Sequence, residues 1–190
     1  MKTYFGMYQG VVCNIKDPEK RGRIKVTCPK VLGEKIESAW CDPCIPVSYD
    51  GGGDICIPKI DETVWVMFIE GNPNKPVYMG SWWSKEKTPF GSEYKDIDTT
   101  RIIEYNTTKV TMKENLLLME IGKEEKATIQ MKDGIITIKD AKEAFAEFKE
   151  GNITLKDKVG ATIEIKDGSI TLKDNSGGII SISGGNINLN

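Results

Sequence analysis

Gly134, Gly151, Gly168 and Gly185 recur at a constant spacing of 17 residues, and no other feature restricts the fold as strongly. A repeat of that length implies stacked copies of one small unit. Before each glycine stand Ile129, Ala146, Ile163 and Ile180 in one register, and Met131, Phe148, Ile165 and Ile182 in another. After it come Ile136, Ile153, Ile170 and Ile187, then Ile138, Leu155, Leu172 and Leu189. The residues between them are polar: Gln130, Glu147, Glu164 and Ser181 before the turn, Thr137, Thr154, Thr171 and Asn188 after it. Period-two alternation on both sides of a glycine predicts two short strands per repeat, each with one buried and one wet face. Lys132, Lys149 and Lys166, with Lys139, Lys156 and Lys173, share the parity of the wet face.

One repeat cannot stand alone. Its few inward side chains contribute about 1.5–3 kcal/mol each, against a backbone ordering cost of roughly 1–2 kcal/mol per residue. Stacking supplies neighbours along the axis, but two narrow strands enclose little volume. Association of several chains about a shared axis closes the core and removes open edges. Residues 141–149 contain good helix formers, yet their register with the repeat favours strand for the second half. Val110, Met112, Met119 and Ile121 suggest further, irregular repeats upstream.

The earlier part of the chain has a different grammar. Residues 1–84 carry short β patterns, most of the prolines and aromatics, and all five cysteines. A polar connector with Pro and Gly is expected over 85–108, and the repeat region over 109–190. With 26 basic and 28 acidic residues, net charge −2, the chain offers no sustained attraction to nucleic acid or anionic lipid. It has no histidine, which removes Ser-His-Asp and Cys-His chemistry and histidine metal sites. No signal-peptide run and no membrane-length apolar stretch is present, so assembly in the cytoplasm with reduced thiols is expected.

Along the first part run Gly10-Val11-Val12, Asp17-Pro18, Gly22-Arg23-Ile24-Lys25-Val26, Glu37-Ser38-Ala39-Trp40 and Ile57-Pro58. They continue with Asp61-Glu62-Thr63-Val64-Trp65-Val66-Met67-Phe68, Glu70-Gly71-Asn72-Pro73, Lys75-Pro76-Val77-Tyr78-Met79-Gly80 and Ser81-Trp82. Across residues 6–83 this pattern resembles the OB-fold domain of phage baseplate assembly protein V and of the valine-glycine repeat (VgrG) spike proteins of type VI secretion. The resemblance implies an all-β chain: an OB-fold barrel over 1–84, followed by an intertwined trimeric β-helix needle over 109–190.

Its implied function is non-enzymatic, a central spike seated under a baseplate hub that pierces a target envelope, within a virion tail or phage-like particle. The expected partners are two further copies of the chain, the hub protein, a small tip-capping protein and, transiently, the envelope; nucleic acid and cofactors are not expected. The needle core would comprise Ile129, Met131, Ile136, Ile138, Phe148, Ile153, Leu155, Ile163, Ile165, Ile170, Leu172, Ile180, Ile182, Ile187 and Leu189. Gly134, Gly151, Gly168 and Gly185 would form the turns. Residues 175–190 carry no charge, so Ser183, Asn186, Asn188 and Asn190 are the candidate tip contacts. Some family members insert a lysozyme domain before the needle, for which the connector has no room, and others bind iron through a terminal histidine motif absent here.

Locally, Ile24, Val26 and Cys28 should share one strand face opposite Arg23, Lys25 and Thr27. Residues 63–69 form a nearly continuous apolar run, expected of a strand covered on both faces. A trimeric tail-fibre or adhesin stalk with a receptor-binding barrel is the alternative function. More remote is a thiol oxidoreductase: Trp40-Cys41-Asp42-Pro43-Cys44 resembles a redox motif, but Pro46 and Gly51-Gly52 follow where a helix is needed. The CxxC lacks a second pair for a complete metal site with Cys28 or Cys56. Glu124-Glu125 and Asp61-Glu62 read as solvated carboxylates, and Gly177-Gly178 and Gly184-Gly185 as turns without a phosphate-loop lysine. Trp65, Tyr78, Trp82 and Trp83 invite a single-strand-binding reading, against which the balanced charge argues.

Overall fold

The structure is a computed structural model that describes residues 2–84 and 97–189. The chain divides into two compact units, Met1–Gly91 and Ser92–Asn190. Strand dominates both, and no helix among the described residues is long and apolar enough to cross a membrane.

In the first unit, β1 (Tyr8–Asn14), β2 (Lys25–Thr27), β3 (Asp42–Pro43), β6 (Thr63–Phe68) and β7 (Pro76–Ser81) form one sheet in the order β2-β1-β6-β7-β3. A minor hairpin pairs β4 (Ser48–Tyr49) with β5 (Gly52–Gly53), and a single-turn helix α1 (Pro29–Leu32) follows β2. The edges of the five-stranded sheet meet. Ile24, just before β2, exchanges two backbone hydrogen bonds with Cys41, just before β3, at 3.2 and 2.8 Å. That bridge closes the sheet into a small barrel and removes two open edges.

Alternation decides what fills the barrel. Val12, Ile24, Val26, Cys28, Cys41, Val64 and Val66 are fully buried, and Phe68 and Tyr78 nearly so. Ile24, Val26 and Cys28 therefore share the inward face, as their spacing predicts. Gly10 is required by close approach: a Cβ there would stand 2.7 Å from Cγ2 of Val66. The run 63–69 departs from expectation. Only Val64, Val66 and Phe68 are buried, whereas Trp65 and Met67 point outward and are half-exposed. The chain itself covers that strand on one face, and Ile69 leaves it in a 3-10 turn where Glu70 takes φ 55°.

Among the described residues, the second unit is a single sheet of eleven strands in strict sequence order. These are β8 (Arg101–Tyr105), β9 (Thr108–Lys113), β10 (Leu116–Ile121), β11 (Ala127–Lys132), β12 (Ile135–Lys139), β13 (Phe145–Lys149), β14 (Asn152–Lys156), β15 (Thr162–Lys166), β16 (Ser169–Lys173), β17 (Ile179–Ser183) and β18 (Asn186–Leu189). The strands form an antiparallel meander in one plane of pairing, rather than coils of a β-helix within the chain. The sheet also begins inside the segment read as connector: Arg101–Tyr105 pairs with β9 because Asn106, at φ 55°, turns the chain back. Residues 85–96 of that connector lie outside the described residues.

The repeats are built from strands of four to six residues, joined alternately by two-residue turns and five-residue loops. The tight turns have positive φ at both central residues, 49° and 83° at Asp133-Gly134, 51° and 79° at Glu150-Gly151, 49° and 76° at Asp167-Gly168, and 56° and 81° at Gly184-Gly185. Such turns match the twist of a hairpin and favour glycine at the second position. The second half of 141–149 is β13, so packing register prevails there over helix propensity.

Candidate functional site

Two surfaces stand out once each strand is assigned its two faces. On the sheet, register places Ile129 opposite Ile138, Met131 opposite Ile136, Ile136 opposite Phe148 and Ile153 opposite Ile165. The pattern continues through Ile163 with Leu172, Ile170 with Ile182, and Ile180 with Leu189. All fifteen candidate core residues thus share one face, and fourteen of them remain 36–73% exposed; Ile153 is half-buried. Leu117, Met119, Val110, Met112 and Ile103 extend the same rows upstream. At roughly 70 Å² per side chain the fourteen alone expose about 1,000 Å², beyond the few hundred Å² of an ordinary surface patch.

The apolar face has two columns. Along the five-residue loops, Ile138, Ala146, Leu155, Ile163, Leu172, Ile180 and Leu189 line an open trough of about 890 Å³. Along the tight turns run Met131, Ile136, Phe148, Ile153, Ile165, Ile170, Ile182 and Ile187, outside the trough. The opposite face carries a ladder of Thr137, Glu147, Thr154, Glu164, Thr171, Ser181 and Asn188. Ser183 pairs with Asn186 and Ser181 with Asn188, so these tip candidates sit on the polar face. Asn190 lies outside the described residues.

The loops hold a second 17-residue period, not singled out by the glycine and alternation pattern: Asp140, Asp157 and Asp174. Oδ1 of Asp157 accepts the backbone N–H groups of Val159, Gly160 and Ala161 at 3.1, 2.7 and 2.7 Å. Asp140 serves Lys142 and Ala144 at 2.8 and 2.9 Å, and Asp174 serves Ser176 and Gly178 at 2.9 and 2.7 Å. Each aspartate also donates its own N–H to the loop's last carbonyl. The carboxylate satisfies loop donors that no strand can reach, and the signal was available as a spacing.

The barrel carries the second surface. Trp65 lies opposite Met79 and Met67 opposite Val77 on the outer side of β6 and β7, with Val11 on β1 39% exposed. Trp82 packs on Trp65 with ring centroids 4.5 Å apart. The aromatic set proposed for stacking bases is divided: Tyr78 is buried and its hydroxyl donates to the Gly22 carbonyl at 2.8 Å, while Trp83 is 61% exposed.

Chemistry finds little support among the cysteines. Cys41 is fully buried, its Sγ 3.4 Å from Ser38 Oγ, and burial pushes its thiol up to about 11. Burial also raises Cys13 and Cys28. A redox nucleophile needs the opposite shift. Cys44 is exposed, its N–H bonded to the Tyr78 carbonyl, and the chain beyond it enters β4, not a helix. Among the described residues no group of three or more Cys, Asp or Glu is placed to hold a metal ion. Asp61 turns at φ 66° beside Glu62, whose carbonyl accepts from Val12, and Glu125 pairs with Lys142 on the surface.

Residues 8–83 match a family model, that of the Type VI secretion system/phage-baseplate injector OB domain. A search of the curated proteins found no match.

Proposed function

We propose, from the match of residues 8–83 to the Type VI secretion system/phage-baseplate injector OB domain, that this chain is the structural central spike of a contractile tail or phage-like injection system. The observation that carries the reading is the apolar face of the sheet. About 1,000 Å² of exposed apolar surface exceeds the roughly 800 Å² that each partner buries in a stable interface.

In this reading three copies stand side by side about one axis with apolar faces inward and the lysine-bearing faces outward. Each chain supplies one wall. The polar ladder keeps the outside wet, and the closed arrangement covers the core that a single chain leaves open. The outer barrel face built on Trp65, Met67, Val77 and Met79 is the surface that seats beneath the baseplate hub. The uncharged end around Ser183, Asn186 and Asn188 receives a small tip-capping protein, and the needle transmits contraction force to the target envelope.

Native mass spectrometry of the purified chain tests the assembly, and co-purification with tail-tube and baseplate proteins tests the placement. A trimer that travels with those proteins is expected. A monomer at micromolar concentration would contradict the closure argument, and a trimer found apart from baseplates would favour a fibre or adhesin stalk.

A further inference from the structure

Ala146 and Phe148 are the two places where the apolar columns depart from aliphatic side chains of Ile, Leu or Met size, and both lie on β13. Ala146 sits in the floor of the trough between Ile138 and Leu155, where the other repeats place Ile163 or Ile180. Phe148 stands in the other column between Ile136 and Ile153, outside the trough and 41% exposed. One strand therefore carries a notch in one column and a knob in the other.

Resting on the three-copy reading above, symmetry adds a constraint. If the copies are related by an axis running along the stacking direction of the strands, the three β13 strands share one level. Every notch then has a knob from a neighbouring copy at its own height. We infer that Phe148 of each copy seats against Ala146 of the next, and that this mixed layer fixes the axial register of the three chains.

The need for such a key follows from the repeat itself. The levels at Ile163 and Ile165 and at Ile180 and Ile182 are interchangeable in side-chain identity. A slip of one repeat, two strands or about 9.5 Å, would match aliphatic layers to aliphatic layers almost unchanged. It would also set Phe148 against a full-sized Ile and leave Ala146 opposite an aliphatic residue too short to fill the notch. Overpacking and void together disfavour the slipped state.

The test uses the full chain with p-benzoylphenylalanine in place of Phe148, an aromatic for an aromatic. After irradiation, dimer-sized products on a denaturing gel are between copies, and peptide mapping locates the bond. The expected result is attachment at Ala146 or its row neighbours Ile138 and Leu155, with yield falling several-fold in an added Ala146→Ile background. Attachment centred one repeat away, at Ile129 or Ile163, with trimers intact by native mass spectrometry, overturns the key and leaves the spike reading standing. An unchanged yield in the Ala146→Ile background does the same. A chain that is monomeric before irradiation overturns both. As a second measure, Ala146→Ile with Phe148→Ile makes the layer resemble its neighbours. With the same photoprobe at Ile165, wild type should give one register and the double variant several; a single register in both sinks the inference.

Discussion

Arg23 closes on Asp17 across six residues, its Nη2 2.7 Å and its Nε 3.1 Å from Oδ1 of the carboxylate. The same carboxylate accepts the backbone N–H groups of Glu19, Arg21 and Arg23, and the two side chains are only 4% and 11% exposed. The pair knots the loop between β1 and β2, and Trp40 lies over the guanidinium at 5.7 Å. Hydrogen bonding from Arg23 leads the causes that hold the Asp17 carboxyl well below the usual carboxylate range, against the opposing effect of desolvation.

A depressed folded-state pKa stabilises the fold above the unfolded value, near 4, and that contribution fades as pH falls toward the folded value. Asp17→Asn should lower the urea midpoint at pH 7 with an unchanged slope. The gap between variant and wild type should narrow steadily below about pH 4. A gap that stays constant into acid would show that the carboxylate's charge is not what matters.

Asp157→Ala removes one acceptor shared by three loop N–H groups. The expected loss is about 0.5–1.5 kcal/mol in thermal or chemical unfolding, and Lys158→Ala in the same loop should be close to neutral. Equal effects at both positions would deny the aspartate its role.

At Gly168 the cost is purely conformational, because φ is +76° and a Cβ would meet nothing within 4 Å. Gly168→Ala should destabilise by about 1–2 kcal/mol. Gly160, at φ +109° and further from the left-handed well, should cost more on replacement by alanine. The two should add, being in separate loops.

Thiol labelling separates the cysteines by burial. Cys44 and Cys56 are exposed and should react quickly with a soluble disulfide reagent, Cys13 more slowly, and Cys28 and Cys41 only on unfolding. Cys41→Ser with Cys44→Ser is expected to leave assembly intact. Rapid reaction of Cys41 in the native protein would reopen the redox alternative.

Removing everything after Lys95 should leave a folded barrel that is monomeric or weakly associated. Leu172→Asp in the full chain should preserve strand content by circular dichroism and abolish the trimer, since an unpaired carboxylate cannot be desolvated at an apolar contact. A fragment that remains a tight trimer would relocate the clamp to the barrel.

The glycine spacing and the alternation around it located every strand from β11 to β18, because hairpin geometry is a local matter of turn chemistry and period. Asp140, Asp157 and Asp174 were legible by the same spacing but look like ordinary loop residues until their hydrogen bonds are seen. The barrel was expected through the family resemblance alone, and the bridge that closes it was not legible, since the bonds between Ile24 and Cys41 join residues with no shared pattern. Likewise nothing local distinguishes Arg23, tied to Asp17, from Lys25, which reaches Glu37 at 3.3 Å. Trp65 misled for a physical reason: an outward aromatic that Trp82 covers in part reads in sequence like one packed on a second layer of the same chain.

From β8 to β18 each strand bonds only to its neighbours in sequence, across connections of two or five residues. Contacts of such short sequence separation form quickly, hairpin after hairpin, without waiting for distant parts of the chain. In the three-copy reading each wall is then made by unimolecular folding, and only the meeting of walls depends on concentration. Dilution during refolding should therefore slow the appearance of trimer while leaving the rate of strand formation unchanged.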